Sequence, residues 1–382
     1  MKKLLSLALA LLMLMSALPA LASVQDIAKE AEQLTHEQLV EKAKAEEGVF
    51  IAYGNTSRIT TALESFCALY DIKAEGNNLK DGEIYTKLEA EAKSKSKGAD
   101  MVMIQDSATL KDHVAHGGFL VNFLPASVKD QVSEEDQNPL VHQFTNKVFV
   151  WNNKGDKVPA ITNVWQLTEE QFKGNILFKN PENELVNMNF LVMLTSPEWS
   201  DKLAAAYKAL YGKDIDLGDY PNAGYKWIAE FLSNCSFGSS DTKIAEEVSQ
   251  DEAAGKLGLF VLSKLRSSSV HTDNLTVGQY VASETGTPLE PFAGFMYPIY
   301  AMVTANANRP YTAMLFIEYL MSQEGFAPWG KSIGAYSGNS AIPSKEGDLS
   351  LDVWKKTLVT EDPDYILDHS AEVYDFVIKY IQ

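Results

Sequence analysis

The sequence predicts an α/β protein of two lobes, each a mainly parallel sheet flanked by helices, joined by strands that cross between them. Three observations carry this. Short apolar runs alternate with amphipathic helical stretches in the first part of the chain, the pattern of βαβ layering. The chain of 382 residues is longer than one hydrophobic core usually organises. A strongly apolar segment near the far end, Phe295 to Thr304, is placed to re-enter the first sheet as a central strand.

The elements follow in order. Residues 1–22 read as a cleavable leader: Lys2 and Lys3, an apolar run from Leu4 to Met15, then Ala20-Leu21-Ala22 as a small-residue exit, with cleavage expected after Ala22. That run is shorter than the roughly 20 residues needed to span a bilayer, and no later segment is apolar enough. Residues 23–47 form a helical lead-in, where Thr35-x-x-Gln38 has the form of a capping box opening a helix from Leu39 to Glu46. Val49 to Tyr53 is a buried strand, Gly54 to Arg58 a polar loop, and Ile59 to Tyr70 a helix. The unit repeats as a helix from Ile84 to Lys95, a strand from Asp100 to Ile104 and the loop Gln105-Asp106-Ser107. Val148 to Trp151 is a strand leaving the first lobe. Helices at Trp199 to Tyr211 and Tyr225 to Leu232 and a strand at Gly258 to Leu262 belong to the second, and Pro310 to Met321 is a helix opened by proline.

Loss of Lys2 and Lys3 leaves 31 basic residues against 51 acidic ones, a net charge of −20 on about 360 residues. Such a chain is a poor partner for nucleic acid. Cys67 and Cys235 are expected to be free thiols, since a chain of this size needs no small-scaffold staple. No cysteine follows Ala22, so a lipid-modified terminus is not supported.

Several short matches, in this order, give the chain a family resemblance. They are Ala43-Lys44-Ala45-Glu46-Glu47-Gly48, Tyr53 to Arg58, Ala99-Asp100-Met101-Val102, Val150 to Lys154, Lys173-Gly174-Asn175 with Pro181, Ala293-Gly294-Phe295, Arg309-Pro310 and Tyr319 to Gly325. Together the chain resembles the extracellular solute-binding proteins of bacterial ABC importers, in particular the ferric-iron-binding group of two-lobed periplasmic binding proteins. The resemblance implies a binding protein rather than an enzyme, one that closes on a small molecule and delivers it to an inner-membrane permease driven by a separate ATPase. The leader and the absence of a cysteine after Ala22 add the expectation of a protein free in the periplasm, and a monomer is expected. The resemblance also implies crossover strands near Val148 to Trp151 and Phe292 to Met296, a first lobe of 48–149 plus about 290–340, and a second of 150–289 plus about 341–382.

The candidate site residues sit at the expected strand ends, where parallel sheets bind ligands. Asn55, Thr56, Ser57 and Arg58 join a strand end to a helix start, a place suited to an anion; the alternative is that Asn55 or Thr56 is the helix N-cap. Asp106, beside Ser107, either accepts from a ligand hydroxyl or caps the next helix. Ser263, Lys264 and Arg266, in the loop that continues to Ser269, bring two cations and hydroxyls together in an acidic chain, or form an ordinary solvated loop. Asn187 and Asn189 near a second-lobe helix start are weaker candidates, and Trp151 either stacks on the ligand or packs. Ferric relatives commonly use a pair of adjacent tyrosines, and no Tyr-Tyr occurs here; Tyr220 and Tyr225 are too far apart. His113 and His116 share a helix face without a third ligand. Gly-x-Ser-x-Gly, His-Glu-x-x-His and Walker motifs are absent, and Ser94 to Lys97 and Ser240 to Lys243 fit Ser-x-x-Lys without a partner motif. The expected solute is a small anion, such as a sugar phosphate, phosphonate or carboxylate; no cofactor is expected. Ferric ion is the alternative within the class, and a secreted hydrolase the alternative outside it.

Overall fold

The computed structural model describes residues 23–94, 98–112, 118–155, 161–277 and 289–381. The leader and the pair His113 and His116 lie outside them. The chain opens with α1 (Val24–Ala31) and α2 (His36–Ala45), the latter closed at its start by the expected box: Gln38 N–H donates to the Thr35 hydroxyl and Thr35 N–H to the Gln38 side chain. The predicted alternation follows as β1 (Phe50–Gly54), α3 (Arg58–Tyr70), β2 (Ala74–Asn78), α4 (Asp81–Ser94), β3 (Met101–Ile104), α5 (Ser107–Asp112) and β4 (Leu120–Val121). The long strand β5 (Val141–Asn152) leads to β6 (Ile176–Lys179), α6 (Leu185–Leu194), α7 (Pro197–Tyr211), α8 (Ala223–Asn234), β7 (Cys235–Gly238), α9 (Asp241–Val248), β8 (Leu257–Val261) and β9 (Leu275–Val277). A second long strand, β10 (Gly294–Thr304), returns to α10 (Pro310–Leu320), α11 (Gln323–Gly330) and β11 (Ala335–Ser337), and α12 (Leu351–Thr357), β12 (Val359–Thr360) and α13 (Pro363–Val377) end the chain.

The strands run in the order β2-β1-β3-β10-β5-β8-β6-β7. β1 is parallel to β2 and β3, and β6 is parallel to β7 and β8. Between these parallel runs stand β5 and β10, antiparallel to each other, with β10 antiparallel to β3 and β5 antiparallel to β8. Each therefore belongs to both halves of the molecule. The sequence suggests only Val148 to Trp151 for the first crossing strand, whereas β5 starts at Val141. Its first half, His142-Gln143-Phe144-Thr145-Asn146-Lys147, is too polar to resemble a buried strand, yet every residue of it is buried. The closing helix α13, also unforeseen, packs against α6 of one half and α5 of the other.

What ties the N-terminal helices down is a buried arginine. Arg309, 4 % exposed, donates to the carbonyls of Gly48 at 3.1 Å, Glu46 at 3.2 Å, Lys73 at 3.3 Å and Ala43 at 3.5 Å. It thus gathers the open C-terminal carbonyls of α2. In return Glu46 accepts from the backbone N–H groups of Tyr311 and Thr312, the open start of α10. Asp100 accepts from the N–H groups of Ile51, Asn308 and Arg309, linking β1 to the same corner. Cys67 and Cys235 are free thiols, as expected. Among the described residues no helix is long and apolar enough to cross a membrane.

Two outcomes are expected. Arg309→Ala strands several buried carbonyls and should lower unfolding stability by about 3 kcal/mol, read from urea denaturation. His142 is fully buried against Trp329 and Phe326, with neither ring nitrogen in a well-formed hydrogen bond, and burial pushes its pKa down to about 3, opposed only by the weak approach of the Leu320 backbone. The unfolded chain then binds a proton that the folded one refuses, so stability falls as pH drops below about 6.5 by on the order of 1 kcal/mol per unit until about pH 3. His142→Phe should flatten that part of the stability curve relative to the parent.

Candidate functional site

The first half brings the turns after β1, β2 and β3, the second of them carrying Asp81, to one edge. The turn after β1 carries Asn55, Thr56 and Ser57 into α3, and Arg58 is the first helical residue. Neither Asn55 nor Thr56 is the N-cap. That position is Ser57, which is exposed and makes no side-chain cap bond. The Thr56 hydroxyl accepts from the Arg58 N–H at 3.4 Å, and Asn55 turns its amide toward Asp81 at 3.5 Å. After β3, Asp106 takes the capping role: it accepts from the hydroxyl and the N–H of Thr109, the latter at 3.4 Å. Its Oδ1 also receives the Asn189 amide from the other half at 3.4 Å. Ser107 donates to Glu361 at 2.5 Å, and Glu361 takes Asn189 at 3.1 Å. Burial first, then Asp106 and Asp81, push the Glu361 carboxyl up to about 8 against the bonds from Ser107 and Asn189. Asp106, Ser107, Asn189 and Glu361 therefore form a hydrogen-bonded bridge between the halves.

The second half presents the turn after β8, with Ser263 buried, Lys264 half-buried and Arg266 exposed. Arg266 donates to the Ser332 hydroxyl at 2.9 Å. Burial and the Arg266 guanidinium draw the Arg58 pKa down to about 10, opposed by Tyr297. Lys264 is lowered by burial, helped by Arg58, Arg266 and Lys147 and opposed by Asp241. The loops that the sequence singled out in separate halves thus face each other closely enough for their cations to repel. Among the described residues none of the three has a carboxylate within ion-pairing distance.

Beneath them lies an element the sequence did not reveal. Lys147 of β5 is fully buried and reaches Glu184 at 2.7 Å, Asn187 at 2.8 Å and Asp241 at 3.2 Å. Lys179 joins Glu184 at 2.6 Å. Burial opposes the charge on Lys147, but Asp241 and Glu184 outweigh it and hold its pKa above the usual value. Glu184, despite burial, is drawn down to about 2 by Lys147 and Lys179. Asn187 is thereby committed to Lys147 and to the Lys179 carbonyl at 2.9 Å, an internal role. Trp151 packs in the core four residues beyond Lys147, about 13 Å along the strand. The sequence also passed over Tyr297, buried on β10 on the face it shares with Thr145 and Lys147. Its phenol is pushed well up by burial and by Glu184, Asp241 and Asp81.

A cavity of about 1020 Å³ opens between the halves, lined by Asn55, Asp81 and Gln105 on one side and Lys179, Glu184 and Leu185 on the other. A second, of about 610 Å³, lies on the opposite face of the crossing strands, with Phe144, Met296 and Pro298 in its wall. No group of three or more His, Cys, Asp or Glu able to hold a metal ion occurs among the described residues. Tyr225 is engaged with Glu372 at 3.0 Å.

The fold is shared with solved structures. The iron- and citrate-complexed IdiA (FutA) of Trichodesmium superposes with a TM-score of 0.62 at 15 % identity, covering 87 % of this chain and 99 % of that one. A ferric binding protein from Campylobacter jejuni gives 0.64 at 12 %, covering 87 % and 99 %. AfuA from Actinobacillus pleuropneumoniae, with fructose-6-phosphate bound, gives 0.61 at 16 %, covering 88 % and 98 %. Among curated proteins none matches the sequence. The sequence profile of one family does match, over residues 49–332. With the two α/β halves, the shared crossing strands and the cleft between them, this places the chain in the family of bacterial extracellular solute-binding proteins.

Proposed function

We propose that this solute-binding protein of ABC-importer type takes a small anionic solute in the periplasm and delivers it to an inner-membrane permease. The observation that carries the reading is the convergence of Arg58, Lys264 and Arg266 from opposite halves without a carboxylate partner, in a chain otherwise dominated by acids. Burial and neighbouring cations disfavour the charge on Arg58 and Lys264, a cost that an anion between them offsets. Asn55, Thr56, Ser57 and Ser263 supply amide and hydroxyl groups around that point. The N-terminal end of α3 adds the positive pole of a helix to the same spot.

The lobes divide as 48–149 plus about 290–340 and 150–289 plus about 341–382, and the protein works as a monomer whose leader ends at Ala22. Closure bends the crossing strands β5 and β10 and brings the two cationic loops onto the solute. Ferric ion is the less favoured cargo. The cations repel it, and Glu184 and Asp241 are occupied by Lys147 and Lys179.

Two measurements test this. In calorimetry with inorganic phosphate, phosphate esters and dicarboxylates, Arg58→Ala and Arg266→Ala are each expected to weaken binding of the best ligand by about 1.5 to 3 kcal/mol. Unchanged affinity in both variants would sink the clamp. A thermal-shift series is expected to raise the unfolding midpoint with an anion, corresponding to about 2.7 kcal/mol at a hundredfold excess over Kd. A rise with ferric salts and none with anions would reverse the assignment.

A further inference from the structure

Asp81 is the buried acid at the cleft that the fold leaves half satisfied. It is 6 % exposed and opens α4. Its Oδ1 accepts from the Gln105 N–H at 3.2 Å and the Asn55 amide at 3.5 Å. Its Oδ2 has no hydrogen-bond or ion-pair partner among the described residues. The neighbouring acids are all matched: Glu184 and Asp241 by Lys147 and Lys179, Asp106 by Thr109 and Asn189, Glu361 by Ser107 and Asn189. Burial, with Asp106 and Glu184 adding to it, pushes the Asp81 carboxyl up to about 7 against the bonds from Gln105 and Asn55. Oδ2 is not sealed from solvent, so a group in the cavity can reach it, and a cation there would hold the carboxylate charged where burial otherwise favours its protonation.

Its position decides what that cation belongs to. Asp81 lines the 1020 Å³ cavity, and Asn55 bridges it to the loop that carries Arg58. Tyr297 lies within electrostatic reach of both Arg58 and Asp81, so the cationic and acidic groups of the site share a neighbourhood. A hydroxyl would fill the same space, but it would meet Asp81 among Asp106 and Glu184, surroundings that favour positive charge over a neutral group.

We infer that the solute is bipolar, a short molecule whose anionic group sits between Arg58, Lys264 and Arg266 and whose ammonium group sits on Oδ2 of Asp81. This rests on the anion clamp proposed above. Asp81 is then the residue that selects among anions, while the three cations supply the common affinity.

The test compares three probes in calorimetry on the intact mature protein: inorganic phosphate, glycerol phosphate and phosphoethanolamine. The parent is expected to bind phosphoethanolamine at least about tenfold tighter than glycerol phosphate, the worth of one charge-assisted bond. Asp81→Asn keeps the shape and the bonds from Gln105 and Asn55. It should abolish that preference while leaving inorganic phosphate within about twofold, which also shows that the variant is folded. Equal affinity of the parent for the two esters, or a preference that survives in Asp81→Asn, overturns the inference and leaves the clamp standing. If none of the three binds the parent, the clamp falls and the inference with it.

Discussion

One buried ammonium organises the middle of this molecule. Lys147 stands on the strand shared by both halves and spends all three of its donors on Glu184, Asn187 and Asp241. Glu184 is the N-cap of α6 and Asp241 the first residue of α9, so a single side chain draws two helix starts onto β5. Each acid also lies where a helix dipole favours negative charge. Asp241 reaches further and accepts from the Val261 N–H at 3.2 Å, at the end of β8, directly before the turn that carries Lys264 and Arg266. Removing a buried charge from water is expensive, and the expense is recovered only when every partner is in place. The placement of the second half's cationic turn is therefore coupled to the crossing strand.

That arrangement explains why cations are available in so acidic a protein. The lysines nearest the crossing strands are neutralised internally, while Arg58, Lys264 and Arg266, a few residues away, are not. The difference lies in the pairing: Glu184 and Asp241 are engaged by Lys147 and Lys179, whereas Arg58 and the turn after β8 that carries Lys264 and Arg266 meet no carboxylate within ion-pairing distance among the described residues. The acid bridge through Asp106, Asn189 and Glu361 then joins the halves without using any of these cations.

Much of the architecture was legible because it depends on local patterns. Apolar runs at Phe50 to Tyr53 and Met101 to Ile104, the Thr35 box and the proline opening α10 are each decided within a few residues. The loops at Arg58 and at Lys264 to Arg266 stood out because their composition departs from the acidic background. What stayed hidden depends on distant partners. The polar half of β5 is buried only because Glu184, Asp241, Tyr336 and Gln143's neighbours come from elsewhere in the chain to meet it, as Asn146 does with Tyr336 at 3.1 Å. Asn187 looked like a ligand donor because nothing local reveals that a lysine forty positions earlier would claim it. Asp81, Tyr297 and Glu361 had no motif around them, and only the closing of the two halves gives them neighbours.

The sharing of β5 and β10 has a consequence for how the chain can be divided. No single break in the sequence yields two complete halves, because each half needs both strands, and these lie far apart along the chain. A fragment ending after β9 would keep β5 but lack β10, leaving one long edge of β5 unpaired beside the bare edge of β3. Exposed edges of that length invite pairing with other chains. The molecule is thus two-lobed in shape but one unit in assembly.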